Sequence, residues 1–135
     1  MAIRDDIKAM VLSRIAKRKP VSPVSGRGQA KWRVGNQVVH VRFRSGPKSD
    51  GVNFSYNINP NTLDADYKLW ICGAEYYYYL MPIASIRAIY SDPDAYVDYQ
   101  HPERRVAEVN VVTHCALMGR GGKYIDFSRY FRTQL

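Results

Sequence analysis

The chain has 135 residues, a formal net charge of +8 and two cysteines. This length predicts a single domain, residues 1–135, that buries a core without disulfides, and it argues against two domains. No window reaches the 18 or more apolar residues that a membrane span requires, and the cysteines lack metal-ligand spacing, so we expect a cytoplasmic protein that binds neither membrane nor metal.

The positive charge is concentrated at the beginning of the chain. Residues 1–50 carry twelve Lys and Arg against three Asp and Glu, whereas residues 51–135 carry eight against nine. This asymmetry favours a polyanionic partner, with nucleic acid ahead of an anionic membrane surface. A basic surface that only keeps the protein soluble is the alternative.

The first elements in chain order are an N-terminal helix, within residues 1–19, and a basic loop at 20–30. The helix prediction rests on an apolar stripe formed by Ile3, Ile7, Met10, Val11 and Ile15. Two prolines and two glycines argue against regular structure in the loop.

A core follows at residues 31–90, with five predicted strands and a short second helix. The strands are a hairpin at 30–34 and 36–45, a third at 52–58, and a fourth and fifth at 65–73 and 76–83; the helix covers 83–90. Residues 91–135 are predicted to be a C-terminal β extension. The fold class is therefore α+β, with a mixed, mostly antiparallel curved sheet flanked by helices.

One face of the second hairpin strand is strongly basic. Alternation places Val39, Val41 and Phe43 on one side of the strand, and His40, Arg42 and Arg44 on the other. With Lys31 and Arg33 on the neighbouring strand, this row would suit phosphate contacts if it faced solvent. A merely solvated strand face is the alternative, and so is metal-free catalysis in which His40 acts as acid or base.

The order of elements, with the segment DADYKLWICGAEYYYYLMPI, resembles the minimal core of PD-(D/E)XK nucleases, in particular their small homing-endonuclease and resolvase-like branch. The resemblance implies a nuclease-like core with a catalytic Glu/Gln-x-Lys, which falls here on Arg42, Phe43 and Arg44, followed by Ser45. The metal-binding Asp of the family falls near Lys31 or Arg33. Arginine offers donors only and repels Mg²⁺, so we expect this motif to be degenerate and without the usual catalysis.

The sequence therefore predicts a nucleic-acid-binding protein with a degenerate nuclease-like fold, more suited to DNA than to RNA. We expect nine basic residues to contact phosphates: Lys17, Arg18, Lys19, Arg27, Lys31, Arg33, Arg42, Arg44 and Lys48.

Two alternatives remain open. A relocated Mg²⁺-dependent nuclease site would use Asp64, Asp66 and Glu75, with His40 as a further catalytic candidate. A protein-interaction or assembly module would instead use Trp70 and the run Tyr76–Tyr79, which alternation divides between the two faces of a strand. A homodimer is compatible with each function, because a small sheet leaves edges to cover.

Overall fold

The computed structural model describes residues 3–24 and 30–135, and within them it is an α+β fold with two α-helices and two mostly antiparallel sheets. The helices are α1 (Ile3–Ala16) and α2 (Ile83–Ser91). The strands are β1 (Val21–Pro23), β2 (Lys31–Val34), β3 (Gln37–Arg44), β4 (Asn53–Ile58), β5 (Tyr67–Cys72), β6 (Tyr78–Pro82), β7 (Tyr96–Asp98), β8 (His101–Asn110), β9 (Cys115–Gly119) and β10 (Lys123–Asp126). Neither described helix has the length and apolar character needed to cross a membrane.

The N-terminal helix forms, but it ends earlier and is turned differently from the prediction. Lys17 takes a left-handed backbone with φ of 57°, which ends α1 at Ala16. Val11 and Ile15 are buried as expected, whereas Met10 is 41% exposed and Leu12 is buried in its place. The apolar stripe thus predicted the helix correctly, but the face of the helix that packs against the core is rotated from the predicted one.

The predicted basic loop contains a strand. Val21–Pro23 forms β1, which pairs antiparallel with β2 at the edge of its sheet. Proline is tolerated at such an edge because no second neighbour needs its missing N–H. The expected phosphate contact at Arg27 lies outside the described residues.

The expected single curved sheet is two sheets. The first has the order β1-β2-β3-β5-β6, with β3 and β5 parallel and the other pairs antiparallel. The second is antiparallel, with the order β10-β9-β8-β4, and β7 also pairs with β8. The alternation in β4 correctly predicted a strand, but alternation does not indicate which strand β4 pairs with. Its partner is β8 and not the hairpin formed by β2 and β3.

Two apolar clusters hold these layers together. One lies between the two sheets and includes the stacked rings of Tyr56 and Trp70, whose centroids are 4.6 Å apart. The other lies on the opposite side of the first sheet, under α1, and includes Val39, Val41 and Leu69. Strand β5 is therefore covered on both faces, as its sequence predicted.

The tyrosine run is divided differently from the prediction. Tyr76 and Tyr77 lie in the turn before β6 and are about half exposed, while Tyr78 and Tyr79 are buried on opposite faces of the strand. Trp70 is 1% exposed. Because Trp70 and half of the run belong to the core, the apolar surface expected for a protein-interaction module is reduced to Tyr76 and Tyr77.

Candidate nucleic-acid interface

The second half of β3 lies beside an open basic cleft. The pairing of β2 with β3 ends where Lys31 lies opposite His40. Beyond this pair, the carbonyl of Ala30 accepts one further hydrogen bond from the Val41 amide. Beyond Ala30, the part of the chain that the structure describes supplies no partner strand for this edge. A cleft of about 490 Å³ opens there, and its cationic side chains are Arg4, Lys8, Arg42 and Arg44.

Helix α1 supplies half of these cations. Arg4 and Lys8 are four residues apart and therefore share one face of the helix. The guanidinium of Arg4 lies over the ring of Phe43, 5.6 Å from its centroid. This cation–π contact holds the first turns of α1 against the end of β3.

The four cleft cations, Arg4, Lys8, Arg42 and Arg44, have no carboxylate partner. None of them forms an ion pair among the described residues, and all twelve Asp and Glu of the chain belong to those residues. Burial, followed by the charges of Arg44 and Arg104, lowers the pKa of Arg42. The pKa of Lys8 is lowered by burial and then by the charge of Arg4, although Asp5 partly opposes this. The fold therefore holds several like charges together with no ion pair to compensate them.

The basic row on β3 is only partly solvent-facing, which corrects the prediction. Arg44 is exposed and Arg42 is half-buried, but His40 is 5% exposed. His40 is covered because Lys68, its register partner on β5, points to the same face. The Lys68 Nζ lies 3.0 Å from His40 Nδ1 and also donates a hydrogen bond to the hydroxyl of Thr62.

Both titratable groups of this buried pair favour their neutral forms. Burial, followed by the charge of Lys68, lowers the pKa of His40 to about 3. Burial, followed by the charges of Arg42 and Lys31, lowers the pKa of Lys68 to about 7. His40 is thus a neutral interior residue, and its position does not favour the predicted role as an acid or base acting on a bound substrate.

The candidate carboxylates do not meet. The Asp64 carboxylate accepts a bond of 2.8 Å from Lys31 Nζ, and that of Asp66 accepts one of 2.8 Å from the Val38 amide, just before β5. Glu75 lies beyond the other end of β5, where it pairs with Arg14 at 2.8 Å. Six strand residues, about 20 Å, separate the two ends. Across the described ranges, no group of three or more His, Cys, Asp or Glu could hold a metal ion.

The remaining predicted phosphate contacts fall into three groups. Lys31 and Lys48 are engaged in ion pairs, Lys31 with Asp64 and Lys48 with Glu108 at 2.6 Å. Arg18 and Arg33 are exposed outside the cleft. Lys17 and Lys19 line a second groove, together with residues of α1, β1 and β2. Among the members of the predicted set that the structure describes, only Arg42 and Arg44 lie in the cleft.

Sequence reasoning missed Arg4, Lys8 and Lys68. The first two had a usable signal, since their spacing places them together on the helix that was predicted. Lys68 had none, because a lysine inside an otherwise apolar strand does not reveal that it is buried.

No family model matches this sequence, and comparison with curated proteins and with solved structures gives no match.

Proposed function

We propose that this protein binds nucleic acid through its phosphate backbone, and that the cleft formed by Arg4, Lys8, Arg42 and Arg44 is the contact surface. In this proposal the core is of PD-(D/E)XK type, and the arginines that replace its catalytic residues serve for binding instead of cutting.

The observation that carries the proposal is the uncompensated charge of the cleft. Two exposed lysines elsewhere, Lys48 and Lys123, each lie within 3 Å of a carboxylate oxygen. The cleft cations have no such partner, although the chain has carboxylates to offer. Like charges held together are unfavourable in the free protein and become favourable when an anion with several charges binds between them.

The type of anion follows from the shape of the site. The cleft is open to solvent and continues along the edge of β3, so it suits a chain of phosphates better than one enclosed small molecule. Its cations lie on two elements, α1 and β3, which can contact successive phosphates of one strand. Contacts of this kind give affinity with little base preference.

The test is the salt dependence of binding, measured by fluorescence anisotropy with a labelled DNA duplex, a single strand and their RNA counterparts. For duplex DNA, each lost phosphate contact reduces the slope of log K against log salt by about 0.9. We expect the double variant Arg42→Gln/Arg44→Gln to reduce it by about 1.8 and to weaken binding of every sequence alike.

The matched control is Lys48→Gln/Lys123→Gln, which removes the same charge from exposed lysines that are already paired. It should leave the slope nearly unchanged. The proposal is wrong if the wild-type protein shows no binding at low salt, or if the two double variants lose the same amount.

A further inference from the structure

A buried lysine lies beside the cleft. Lys68 is 2% exposed, and its register partner on β3 is His40, whose side chain points to the same face of the sheet. Arg42 follows His40 by two positions on the same strand, so its side chain leaves that face about 7 Å farther along. One cation of the cleft therefore stands next to an interior amino group that forms no ion pair within residues 3–24 and 30–135.

The charged groups that act on Lys68 are mostly cationic. Arg42 comes from β3 and Lys31 from β2, and the opposing carboxylate is that of Asp64, in the segment before β5. The side chain of Asp64 is 70% exposed and already bonded to Lys31 at 2.8 Å, so it offsets little of this positive charge. Burial, followed by the charges of Arg42 and Lys31, accordingly disfavours the ammonium form of Lys68 in the free protein.

The other neighbours of Lys68 can accommodate an added proton. The ammonium form would donate to the hydroxyl of Thr62 and to Nδ1 of His40, which lies 3.0 Å away. His40 stays neutral, because burial and then the charge of Lys68 lower its pKa to about 3. Strand β6 places Met81 opposite Lys68 and adds no charge. The protonation of Lys68 is thus controlled mainly by the nearby cations.

An anion in the cleft changes this balance. A phosphate bound to Arg42 cancels part of the charge that disfavours the ammonium form of Lys68, so this form is more stable in the complex than in the free protein. The coupling is reciprocal, so a ligand that promotes protonation binds more tightly where protons are available. Arg44 lies two positions farther along β3 and is exposed, and a phosphate bound there acts on Lys68 more weakly.

We infer that binding of nucleic acid in the cleft is coupled to the uptake of a proton from water by Lys68, so that the protein binds its ligand more tightly at neutral than at alkaline pH. The inference rests on the proposed function and adds a pH-dependent regulation of the same site. The phosphodiesters of the ligand keep their charge throughout this range, so the coupling belongs to the protein.

The experiment measures the affinity for a labelled DNA duplex and a labelled single strand by fluorescence anisotropy at pH 6.5, 7.5 and 8.5 and constant salt. We expect the affinity of the wild-type protein to fall on the order of 5-fold across this range, the effect of one partly cancelled charge at about 7 Å. In Lys68→Met, whose side chain has similar length but binds no proton, this decrease should largely disappear.

The variants Arg42→Gln and Arg44→Gln are a matched pair that leaves the interior unchanged. Each removes one cation of the cleft, so both should weaken binding. Only Arg42→Gln should also reduce the pH dependence, because it removes from the free protein the charge that a bound phosphate would cancel. Calorimetry in two buffers of different ionisation enthalpy counts the protons directly, and we expect wild type to take up clearly more than Lys68→Met.

The inference is overturned, while the proposed function stands, if binding depends on salt but its pH dependence is the same in wild type and Lys68→Met. It is also overturned if Arg42→Gln and Arg44→Gln show equal pH dependence. Absence of binding to either probe at low salt and every pH would overturn both proposals.

Discussion

The substitution Lys68→Met should change how the stability of the protein depends on pH. Lys68 is 2% exposed, and its pKa lies at about 7 instead of 10.5. The unfolded chain holds this proton up to about pH 10.5, whereas the folded protein releases it near pH 7. Between these values the unfolded state binds more protons, so stability rises with pH.

The size of the effect follows from the shift. The pKa of Lys68 is about 3.5 pH units lower in the folded protein than in the unfolded chain. At 1.36 kcal/mol per pH unit, this difference corresponds to about 5 kcal/mol of destabilisation, which is complete below pH 7 and absent above pH 10.5. From pH 7 to pH 9 the free energy of unfolding of the wild-type protein should therefore increase by about 2 kcal/mol. In Lys68→Met this increase should disappear.

Urea unfolding at pH 7, 8 and 9 measures this difference. The variant also loses the hydrogen bonds of Lys68 to His40 and Thr62, but that loss is the same at each pH and leaves the slope unaffected. His40 titrates well below this range, because its pKa is lowered to about 3. If the two proteins gain stability equally between pH 7 and 9, Lys68 does not carry a buried titrating charge and the reasoning is refuted.

Three further results are expected. Arg42→Gln should raise the urea midpoint slightly at low salt, since it removes a half-buried cation from like charges, and the gain should shrink as salt is added; a loss of stability would contradict this. Gly119→Ala should lower the free energy of unfolding by about 1–3 kcal/mol, because its new Cβ would lie 2.7 Å from the carbonyl oxygen of Asp94. Gly46→Ala, whose new Cβ meets nothing within 4 Å, should change it by no more than about 0.5 kcal/mol. Equal losses in the two variants would refute the steric argument. Millimolar Mg²⁺ should leave the thermal midpoint unchanged, since the candidate carboxylates do not converge; a clear rise would favour the relocated nuclease site.

The local elements followed from residue patterns of short range. Alternation over a few residues predicted β3 and β4, apolar residues on both faces predicted β5, and residues 83–90 were predicted as the short helix that forms α2. The same patterns could not show that the strands divide between two sheets, because partner choice depends on residues far along the chain. The resemblance to PD-(D/E)XK nucleases stays a prediction of the sequence.

For the candidate site, the sequence alone determined that the positive charge lies in the first 50 residues, and that Arg42 and Arg44 share one face of a strand. Only the tertiary structure decided which cations remain uncompensated. Lys31 is paired with Asp64 and Lys48 with Glu108, 33 and 60 residues away. Arg4 and Arg42, in contrast, line the same cleft, and neither forms an ion pair with the described carboxylates. The physical reason is that side-chain periodicity is local, while burial and ion pairing depend on contacts that only the folded chain makes.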